Sequence, residues 1–526
     1  MENQRNKNYI PIIVLFTATV IAVLILLIFV PGFKLGEMDF RRANILSEIY
    51  KPSADSAVQT SESVDTSYML QDKIMGDSLS VADTTSKNKP SVAEKRPIES
   101  IVWGAKDSLK RDTIKIDTQS KALAPIRIDL PDSVLVPIED FSADCNALKR
   151  LFDRLDGREP MNRPVRIAFL GDSFIEGDIF TIDIRERLQD IFGGGGVGYM
   201  PLYSQVAAMR MSIKHDAEGI KAASIISTKK NDSTLRHSFP MVGQLFIPEE
   251  GASVKFTGVK HKRHLRSFST ARLLFTNRDS TEIVITVNDT IERSFKPQPS
   301  DEIQQIEVFN DIESIRYSFK NVSGFVCYGA YLENEGGISV DNHSLRGSSG
   351  IHILASNNSV NEKLSGMMNI DLIVLQYGLN VLSEEQQNYD SYSRKMTSVV
   401  RHIRRSFPQA EVLIMGVPDR NVRKEGRFNT ISTIQNMISS QRRVAEKTGS
   451  MFWDTFKAMG GENSMSEFVA RGWGAKDYTH INYRGGRYIA RAFVNALLWE
   501  KQNRYDVVVK ADSVVVDSSH NVVVSR

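Results

Sequence analysis

Two short segments, far apart in the chain, carry residue types that could perform nucleophilic catalysis. Ser173 follows the apolar run 165–170 through the tripeptide Gly171-Asp172-Ser173, and much later Asp477-Tyr-Thr-His480 places a carboxylate three residues before an imidazole. A serine hydroxyl becomes a nucleophile when a base takes its proton, and a carboxylate can orient that base. We therefore predict Ser173 as nucleophile, His480 as base and Asp477 as orienting acid in an acyl transfer.

Acyl transfer also needs hydrogen-bond donors aimed at the oxygen on which negative charge develops. A second apolar run, 372–376, is followed by Tyr377-Gly378-Leu379-Asn380, and the side chain of Asn380 can donate such a bond. The backbone N–H of Ser173 is another candidate, because the residue lies at a predicted turn from strand to helix. A glycine turn elsewhere in the chain could supply a further backbone donor.

Each of these short patterns has a simpler interpretation when it is taken alone. Gly-Asp-Ser and Gly-x-Asn are common turns, and Asp-x-x-His is most often a surface loop before a helix. Here each pattern stands at the end of an apolar strand or at the start of a helix. Because ligands of open α/β sheets bind outside the carboxyl ends of the strands, the combination favours one catalytic site.

The elements that must position these residues are strands and helices, which the spacing of apolar residues along the chain distinguishes. Strands are predicted over 165–170, 372–376, 411–417 and 451–453, and helices over 144–155, 179–192, 392–406, 431–448 and 485–499. This alternation predicts a parallel sheet covered by helices on both faces. The four glycines 193–196 are interpreted as a helix stop, because no Gly-Lys-Ser/Thr follows them.

The pattern of apolar and polar residues changes between residues 206 and 328. Short runs with alternating polarity dominate there, such as Ser253-Val-Lys-Phe-Thr257 and Glu282-Ile-Val-Ile-Thr-Val287, and turn residues separate them. Many short strands at this spacing predict a β-sandwich. Because it interrupts the α/β pattern, we interpret it as an inserted domain.

The N-terminal region carries a different kind of signal. Residues 9–30 form an uncharged apolar run long enough to span a bilayer, and no small-residue cleavage site follows it. We expect an uncleaved membrane anchor. Residues from about 50 to 125 are rich in Ser, Thr, Asp and Lys, a composition that predicts a flexible tether.

Composition excludes some partners and leaves others open. The formal net charge is only +3, so nothing global indicates nucleic acid binding. The two cysteines, Cys145 and Cys327, could form one bridge or could each be a small buried residue; we favour the second. No group of His, Cys, Asp and Glu has metal-ligand spacing, so neither a metal nor a cofactor is expected.

Taken in order, these segments resemble the SGNH (GDSL-type) hydrolases over about residues 130–205 and 325–500. The resemblance implies a flavodoxin-like three-layer fold with a parallel sheet. It assigns Ser173 as nucleophile, Asp477 and His480 as the other triad members, and Asn380 as an oxyanion-hole donor beside the N–H of Ser173. A backbone donor is expected from Asn342-His-Ser-Leu-Arg-Gly347-Ser-Ser-Gly350, where Gly347 is preferred to Gly350. Two departures are Phe174 in place of Leu, and Val381 where the family has Asp after the asparagine.

The pattern after Ser173, the glycine-rich stretch and the β-rich insert resemble bacterial peptidoglycan O-acetylesterases in particular. This implies an esterase that removes acyl groups, O-acetyl in particular, from an envelope polysaccharide, with the catalytic domain outside the cytoplasm. One alternative is an O-acyltransferase that works with a membrane O-acyltransferase partner. Another is a non-catalytic envelope binding protein.

The predicted domains follow from these observations. They are an anchor (1–33), a linker (34–125), the first hydrolase part (126–205), the inserted sandwich (206–328), the second hydrolase part (329–503) and a C-terminal tail (504–526).

Overall fold

The computed structural model describes residues 33–35, 38–40, 100–103, 135–159, 161–231 and 233–505. The chain divides into two compact units, 1–63 and 64–526. In the first unit, strands β1 (Phe33–Leu35) and β2 (Met38–Phe40) form an antiparallel pair. The anchor predicted over 9–30 and most of the tail predicted over 504–526 lie outside the described residues. Among the helices that the structure describes, none has the length and apolar character needed to cross a membrane.

The second unit contains the remaining strands and all the described helices. The strands are β3 (Ser100–Trp103), β4 (Glu139–Asp140), β5 (Val165–Gly171), β6 (Gly196–Met200), β7 (Lys214–Ser224), β8 (Gln244–Thr257), β9 (Phe268–Asn277), β10 (Glu282–Val287), β11 (Ile291–Phe295), β12 (Ser300–Ile312), β13 (Ser314–Lys320), β14 (Phe325–Glu333), β15 (Ile338–Ser344), β16 (Leu372–Gln376), β17 (Glu411–Met415), β18 (Asn421–Lys424), β19 (Arg427–Thr430) and β20 (Met451–Trp453). The helices are α1 (Lys149–Leu155), α2 (Thr181–Phe192), α3 (Asn358–Met368), α4 (Asp390–Ser406), α5 (Ile434–Thr448), α6 (Thr455–Met459), α7 (Ser464–Ala470) and α8 (Tyr483–Glu500).

A six-stranded sheet forms the centre of the α/β part, in the order β15-β5-β16-β17-β20-β4. Its first five strands are parallel, and β4 pairs antiparallel with β20 at the edge. Numbered along the chain, the parallel strands follow the order 2-1-3-4-5, which is the flavodoxin-like arrangement. The predicted parallel sheet is therefore confirmed.

Helices cover both faces of this sheet, as the alternation of β5 shows. Ile167 and Phe169 are buried in a core shared with α1, α2 and α8, whereas Ala168 and Leu170 are buried in a second core with α3, α4 and α5. Successive side chains of a strand point to opposite faces. The result is three layers, helices, sheet and helices.

One predicted helix begins later than expected. The sequence predicts a helix from residue 144, but α1 begins at Lys149. Cys145 has a φ of 53°, a left-handed conformation that no residue adopts inside an α-helix. The two cysteines do not form a bridge, and Cys327 is buried as expected, but the expectation that Cys145 is also buried is wrong, because it is exposed.

The β-rich region between the two α/β segments forms most of an antiparallel sheet of ten strands. Each of the runs used to predict strands there lies within a strand, for example 253–257 in β8 and 282–287 in β10. The sheet extends beyond the predicted limits of the insert, because β6 joins it from one side and β14 continues to Glu333 on the other. Its arrangement as a two-layer sandwich remains a prediction.

The predicted linker also contains strands, since both β2 and β3 lie within it. The four residues of β3 pair antiparallel with β12 at the edge of the ten-stranded sheet. The linker predicted over 34–125 therefore contains segments with regular structure.

Buried ion pairs connect the two sheets. Arg166 in β5 donates to Glu333 at the end of β14 (2.7 Å) and to Asp341 in β15 (2.9 Å). Arg272 in β9 reaches the same Glu333 at 2.8 Å. Buried charges are stable only when they are paired, so this cluster fixes the insert against the α/β sheet.

Candidate active site

Ser173 lies immediately after β5, at the carboxyl end of the parallel sheet. The turn depends on Gly171, because a Cβ there would lie 2.9 Å from the carbonyl oxygen of Gln376 in the neighbouring strand. The order of the strands changes direction between β5 and β16, which is the switch point where ligands bind in such sheets. Ser173 therefore lies at the edge of the sheet where a ligand is expected to bind, and the residue is 8% exposed.

Ser173, His480 and Asp477 form a continuous hydrogen-bond relay. The Ser173 Oγ lies 2.9 Å from His480 Nε2, and His480 Nδ1 lies 2.6 Å from Asp477 Oδ2. Burial alone would raise the pKa of Asp477, but its hydrogen bond with His480 and the charge of that ring hold it below the ordinary value. The structure therefore brings together the three residues that the sequence predicted.

The loop that carries Asp477 and His480 is fixed just before α8. The other carboxylate oxygen of Asp477 accepts hydrogen bonds from the backbone N–H groups of Thr479 (2.9 Å) and His480 (3.0 Å). Tyr478 has a φ of 54°, a conformation unusual for a residue other than glycine, and this turn places both side chains on the same side of the loop.

Asn380 follows β16 and is exposed next to this relay. Its Nδ2 donates to Asp172 Oδ2 (3.1 Å) and to the carbonyl oxygen of Ser348 (3.0 Å). Both amide hydrogens therefore have protein acceptors. A role in an oxyanion hole requires that one of them be shared with, or redirected to, the substrate oxygen.

Asp172 is a residue that the sequence interpretation did not single out. Its side chain is fully buried, and its Oδ1 accepts from the N–H of Phe174 at 2.9 Å. Burial raises the pKa of Asp172 to about 7, although the backbone hydrogen bond from Phe174 and the nearby His480 oppose the shift. Its position between two strand ends could not be inferred before the pairing of β5 with β16 was known.

The two candidate glycines differ in their surroundings. Gly350 is buried, its N–H donates to Ser348 Oγ at 2.9 Å, and a Cβ there would lie 2.7 Å from the Tyr377 ring. Gly347 is exposed, and a Cβ there would meet nothing within 4 Å. Gly350 thus packs against its neighbours, whereas Gly347 faces open space. Gly347 precedes Ser348, whose carbonyl oxygen accepts the hydrogen bond from Asn380.

The other polar residues near Ser173 have structural partners. Glu176 forms an ion pair with Arg346. Asp178 is buried against Arg210 at 2.8 Å, and this residue and Arg185 lower the pKa of Asp178 although burial by itself would raise it. Neither acid replaces Asp477, since Asp477 already occupies His480 Nδ1.

The two histidines near the glycine turn are packed in the interior. The ring of His343 lies 4.2 Å from that of Tyr199. His352 Nδ1 lies 2.6 Å from Ser348 Oγ, and burial lowers the pKa of His352 to about 4. His352 thus supports the loop that carries Gly347 and Gly350.

One cavity lies away from this site. It has a volume of about 1170 Å³ and is lined by residues such as Arg154, Arg163 and Val165. Because Val165 begins β5 and Ser173 follows its end, the cavity lies at the amino end of the sheet. Among the described residues, no group of three or more His, Cys, Asp or Glu side chains is placed to hold a metal ion.

Several solved structures align with this chain. A peptidoglycan O-acetylesterase is 23% identical, with a TM-score of 0.54, and the match covers 71% of this chain and 99% of that one. A family two carbohydrate esterase from Cellvibrio japonicus is 11% identical, with a TM-score of 0.23, over 55% of this chain and 97% of that one. An acetyl xylan esterase is 15% identical, with a TM-score of 0.24, over 30% and 81%.

No protein-family model and no curated protein matches the sequence. The fold that the sequence resemblance implies is nevertheless confirmed by the order of the parallel sheet and by the structural similarity to the O-acetylesterase. The chain has the SGNH hydrolase fold.

Proposed function

We propose that this protein is a serine esterase that removes O-acetyl groups from a cell-envelope polysaccharide such as peptidoglycan. The observation that carries the proposal is the relay from Ser173 through His480 to Asp477, with heavy-atom distances of 2.9 and 2.6 Å. These distances lie within the range required for a general base that takes a proton from a serine.

In the first half of the proposed reaction, Ser173 Oγ attacks the ester carbonyl carbon while His480 Nε2 takes its proton. The negative charge on the carbonyl oxygen is stabilised by the N–H of Ser173, a backbone N–H at Gly347 and the amide of Asn380. His480 then returns the proton to the sugar oxygen as the C–O bond breaks. The sugar hydroxyl leaves, and an acetyl group remains on Ser173.

In the second half, water replaces the sugar. His480 takes a proton from water, the resulting hydroxide attacks the acetyl carbonyl, and the proton passes to Ser173 Oγ as acetate leaves. Asp477 keeps Nδ1 of His480 protonated, so that Nε2 faces Ser173 as the acceptor. The two halves together consume one ester and one water and release one alcohol and one acetic acid.

The choice of substrate rests on the structural comparison and on the sequence motifs. The solved structure that aligns over 99% of its own length is a peptidoglycan O-acetylesterase. The motif after Ser173 and the β-rich insert support the same class of substrate. We propose that the insert holds the glycan while the relay hydrolyses its acetyl ester.

We also propose a location for this reaction. The apolar run over residues 9–30 is long enough to anchor the chain in a membrane, and the polymer lies outside the cytoplasm. Alkaline extraction of membranes and protease digestion of intact cells test this directly. Retention in the membrane pellet with protease-sensitive residues 135–505 supports the proposal, and release by alkali contradicts it.

The test of the function uses the purified full chain, Ser173→Ala, and Ser398→Ala as a control at an exposed serine of α4. Acetate release is measured from O-acetylated peptidoglycan and from p-nitrophenyl acetate. The proposal requires release that Ser173→Ala abolishes and Ser398→Ala retains. An acetyl-enzyme that persists until a sugar acceptor is added would point instead to a transferase, and a chain that binds glycan without turnover to a binding protein.

A further inference from the structure

The hairpin formed by β18 and β19 is attached directly to the catalytic loop. The N–H of Asn421 donates to the carbonyl oxygen of Tyr478 at 3.0 Å, and the Phe428 ring stacks on the Tyr478 ring at 3.6 Å with an angle of 8° between the planes. Tyr478 lies between Asp477 and His480. The hairpin therefore contacts the segment that holds both of these triad residues.

The hairpin is a defined structure and not a loose loop. Its two-residue turn has positive φ at Glu425 (51°) and Gly426 (80°), the combination found in type I′ turns that match the twist of paired strands. Its base is tied down by Thr430, whose Oγ1 donates to Asp419 at 2.9 Å, and by Asn421, whose side chain donates to Ser466 at 2.6 Å. The backbone of the hairpin is thus held in a defined position next to the catalytic loop.

Three cations on the hairpin are exposed, namely Arg423, Lys424 and Arg427. In the part of the chain that the structure describes, none of them has an ion-pair partner. Lys476, immediately before Asp477, is also exposed and likewise lacks one there. The hairpin carries these three cations and one acid, Glu425, so its net charge close to the catalytic loop is positive.

The pairing register separates these cations into two groups. Arg423 is directly opposite Phe428, and Lys424 is directly opposite Arg427. Directly opposed residues share a face of the ladder, and consecutive residues alternate between faces. Arg423 therefore shares a face with the ring that stacks on Tyr478, whereas Lys424 and Arg427 are on the other face.

We propose that Arg423 and Lys476 form a subsite for a carboxylate on the acylated polymer, so that the enzyme selects acidic glycans over neutral ones. This inference rests on the proposed esterase function and adds the charge of the substrate to it. An arginine guanidinium can bind a carboxylate through two parallel hydrogen bonds, and the second cation strengthens the local field. The attachment to Tyr478 then sets where the bound carboxylate lies relative to the ester.

The matched variants are Arg423→Gln and Lys476→Gln, with Lys424→Gln as a control that removes the same charge from the other face of the same hairpin. The substrates are O-acetylated peptidoglycan fragments with free carboxylates and the same fragments after their carboxylates have been converted to amides. For Arg423→Gln and for Lys476→Gln, we expect the preference for the acidic over the amidated fragments, measured as a ratio of kcat/KM, to fall about three- to tenfold. Lys424→Gln should keep the wild-type ratio.

An equal fall in Lys424→Gln would overturn the subsite, since only overall charge would then matter. So would an unchanged ratio in Arg423→Gln with a native circular dichroism spectrum and melting temperature. Absence of Ser173-dependent hydrolysis in the wild type would refute the esterase and not the subsite. In that case calorimetric titration of the acidic fragments into wild type and Arg423→Gln still decides whether Arg423 binds them.

Discussion

The side-chain amide of Asn380 is hydrogen bonded to the buried carboxyl of Asp172 at 3.1 Å, across the ends of two neighbouring parallel strands. Asp172 precedes the nucleophile, and Asn380 is the expected oxyanion donor. The carboxyl therefore controls the orientation of a group that must face the substrate. Because burial raises the pKa of Asp172 to about 7, this contact changes its charge near neutral pH.

The raised pKa of Asp172 gives a pH dependence of stability with a defined sign. In the unfolded chain the carboxyl ionises near its ordinary value of 3.8, whereas in the folded protein it stays protonated up to about 7. The folded state thus binds more protons in this window, so its stability decreases as the pH rises. Relative to Asp172→Asn, we expect wild type to lose a few kcal/mol of unfolding free energy between about pH 4 and pH 7.

Urea unfolding at several pH values measures this difference. Asp477→Asn is the control with the opposite sign, because the pKa of Asp477 is lowered in the folded protein. Its wild-type carboxylate contributes stability above about pH 4 that is lost as the pH falls. Parallel curves for wild type and Asp172→Asn across the window would contradict the raised pKa.

Replacement of Asn380 tests its part in the oxyanion hole. In Asn380→Ala we expect kcat on p-nitrophenyl acetate to fall about 10²- to 10³-fold with a small change in KM, because the lost donor acts on charge that develops in the transition state. The exposed Asn436 of α5 provides a control, Asn436→Ala, which should keep wild-type kcat. If KM rises while kcat is retained, Asn380 binds the ground state instead.

Asp477→Asn tests the orientation of His480. An asparagine in this position can present its NH₂ to Nδ1 and so favour the tautomer with the proton on Nε2, which cannot accept from Ser173. We expect kcat to fall on the order of 10³- to 10⁴-fold, with the fold retained. A loss of tenfold or less, measured on p-nitrophenyl acetate, would mean that another group orients His480.

Some elements of this fold can be predicted from the sequence and others cannot, for physical reasons. Strands β5 and β16 are apolar throughout because helices cover both of their faces, and such runs are easy to recognise. Strand β15 has the sequence Ile-Ser-Val-Asp-Asn-His-Ser and was not predicted, although it is almost entirely buried. Its polar residues are satisfied by distant partners, such as Arg166 for Asp341, and no local pattern reveals them.

Some residues of the active site can likewise be predicted from the sequence, and others cannot. Ser173, Asp477 and His480 could be predicted because short motifs at strand and helix ends carry them. Asp172 and Asn380 are 208 residues apart in sequence. Their hydrogen bond depends on the pairing of the two strands that they follow. The hairpin at Asn421–Thr430 was missed because its strands have only four residues each and are largely exposed.

The buried cluster around Arg166 predicts a large effect on stability. Removal of its charge in Arg166→Met leaves Glu333 and Asp341 without their shared partner, since both side chains are almost completely buried. We expect a loss of about 3–5 kcal/mol in unfolding free energy. The exposed pair of Arg278 and Asp301 is the control, and Arg278→Met should change stability by about 1 kcal/mol or less.

Alanine substitutions distinguish the two glycines of the turn after β15. Both have positive φ, 76° for Gly347 and 84° for Gly350, so each substitution carries a backbone cost of about 1–2 kcal/mol. Gly350→Ala also places a Cβ 2.7 Å from the ring of Tyr377, which is buried and cannot move freely, whereas Gly347→Ala meets open space. We therefore expect Gly350→Ala to lower the melting temperature clearly more than Gly347→Ala. Equal melting temperatures would show that the Tyr377 ring yields, and that the packing of Gly350 does not hold this turn.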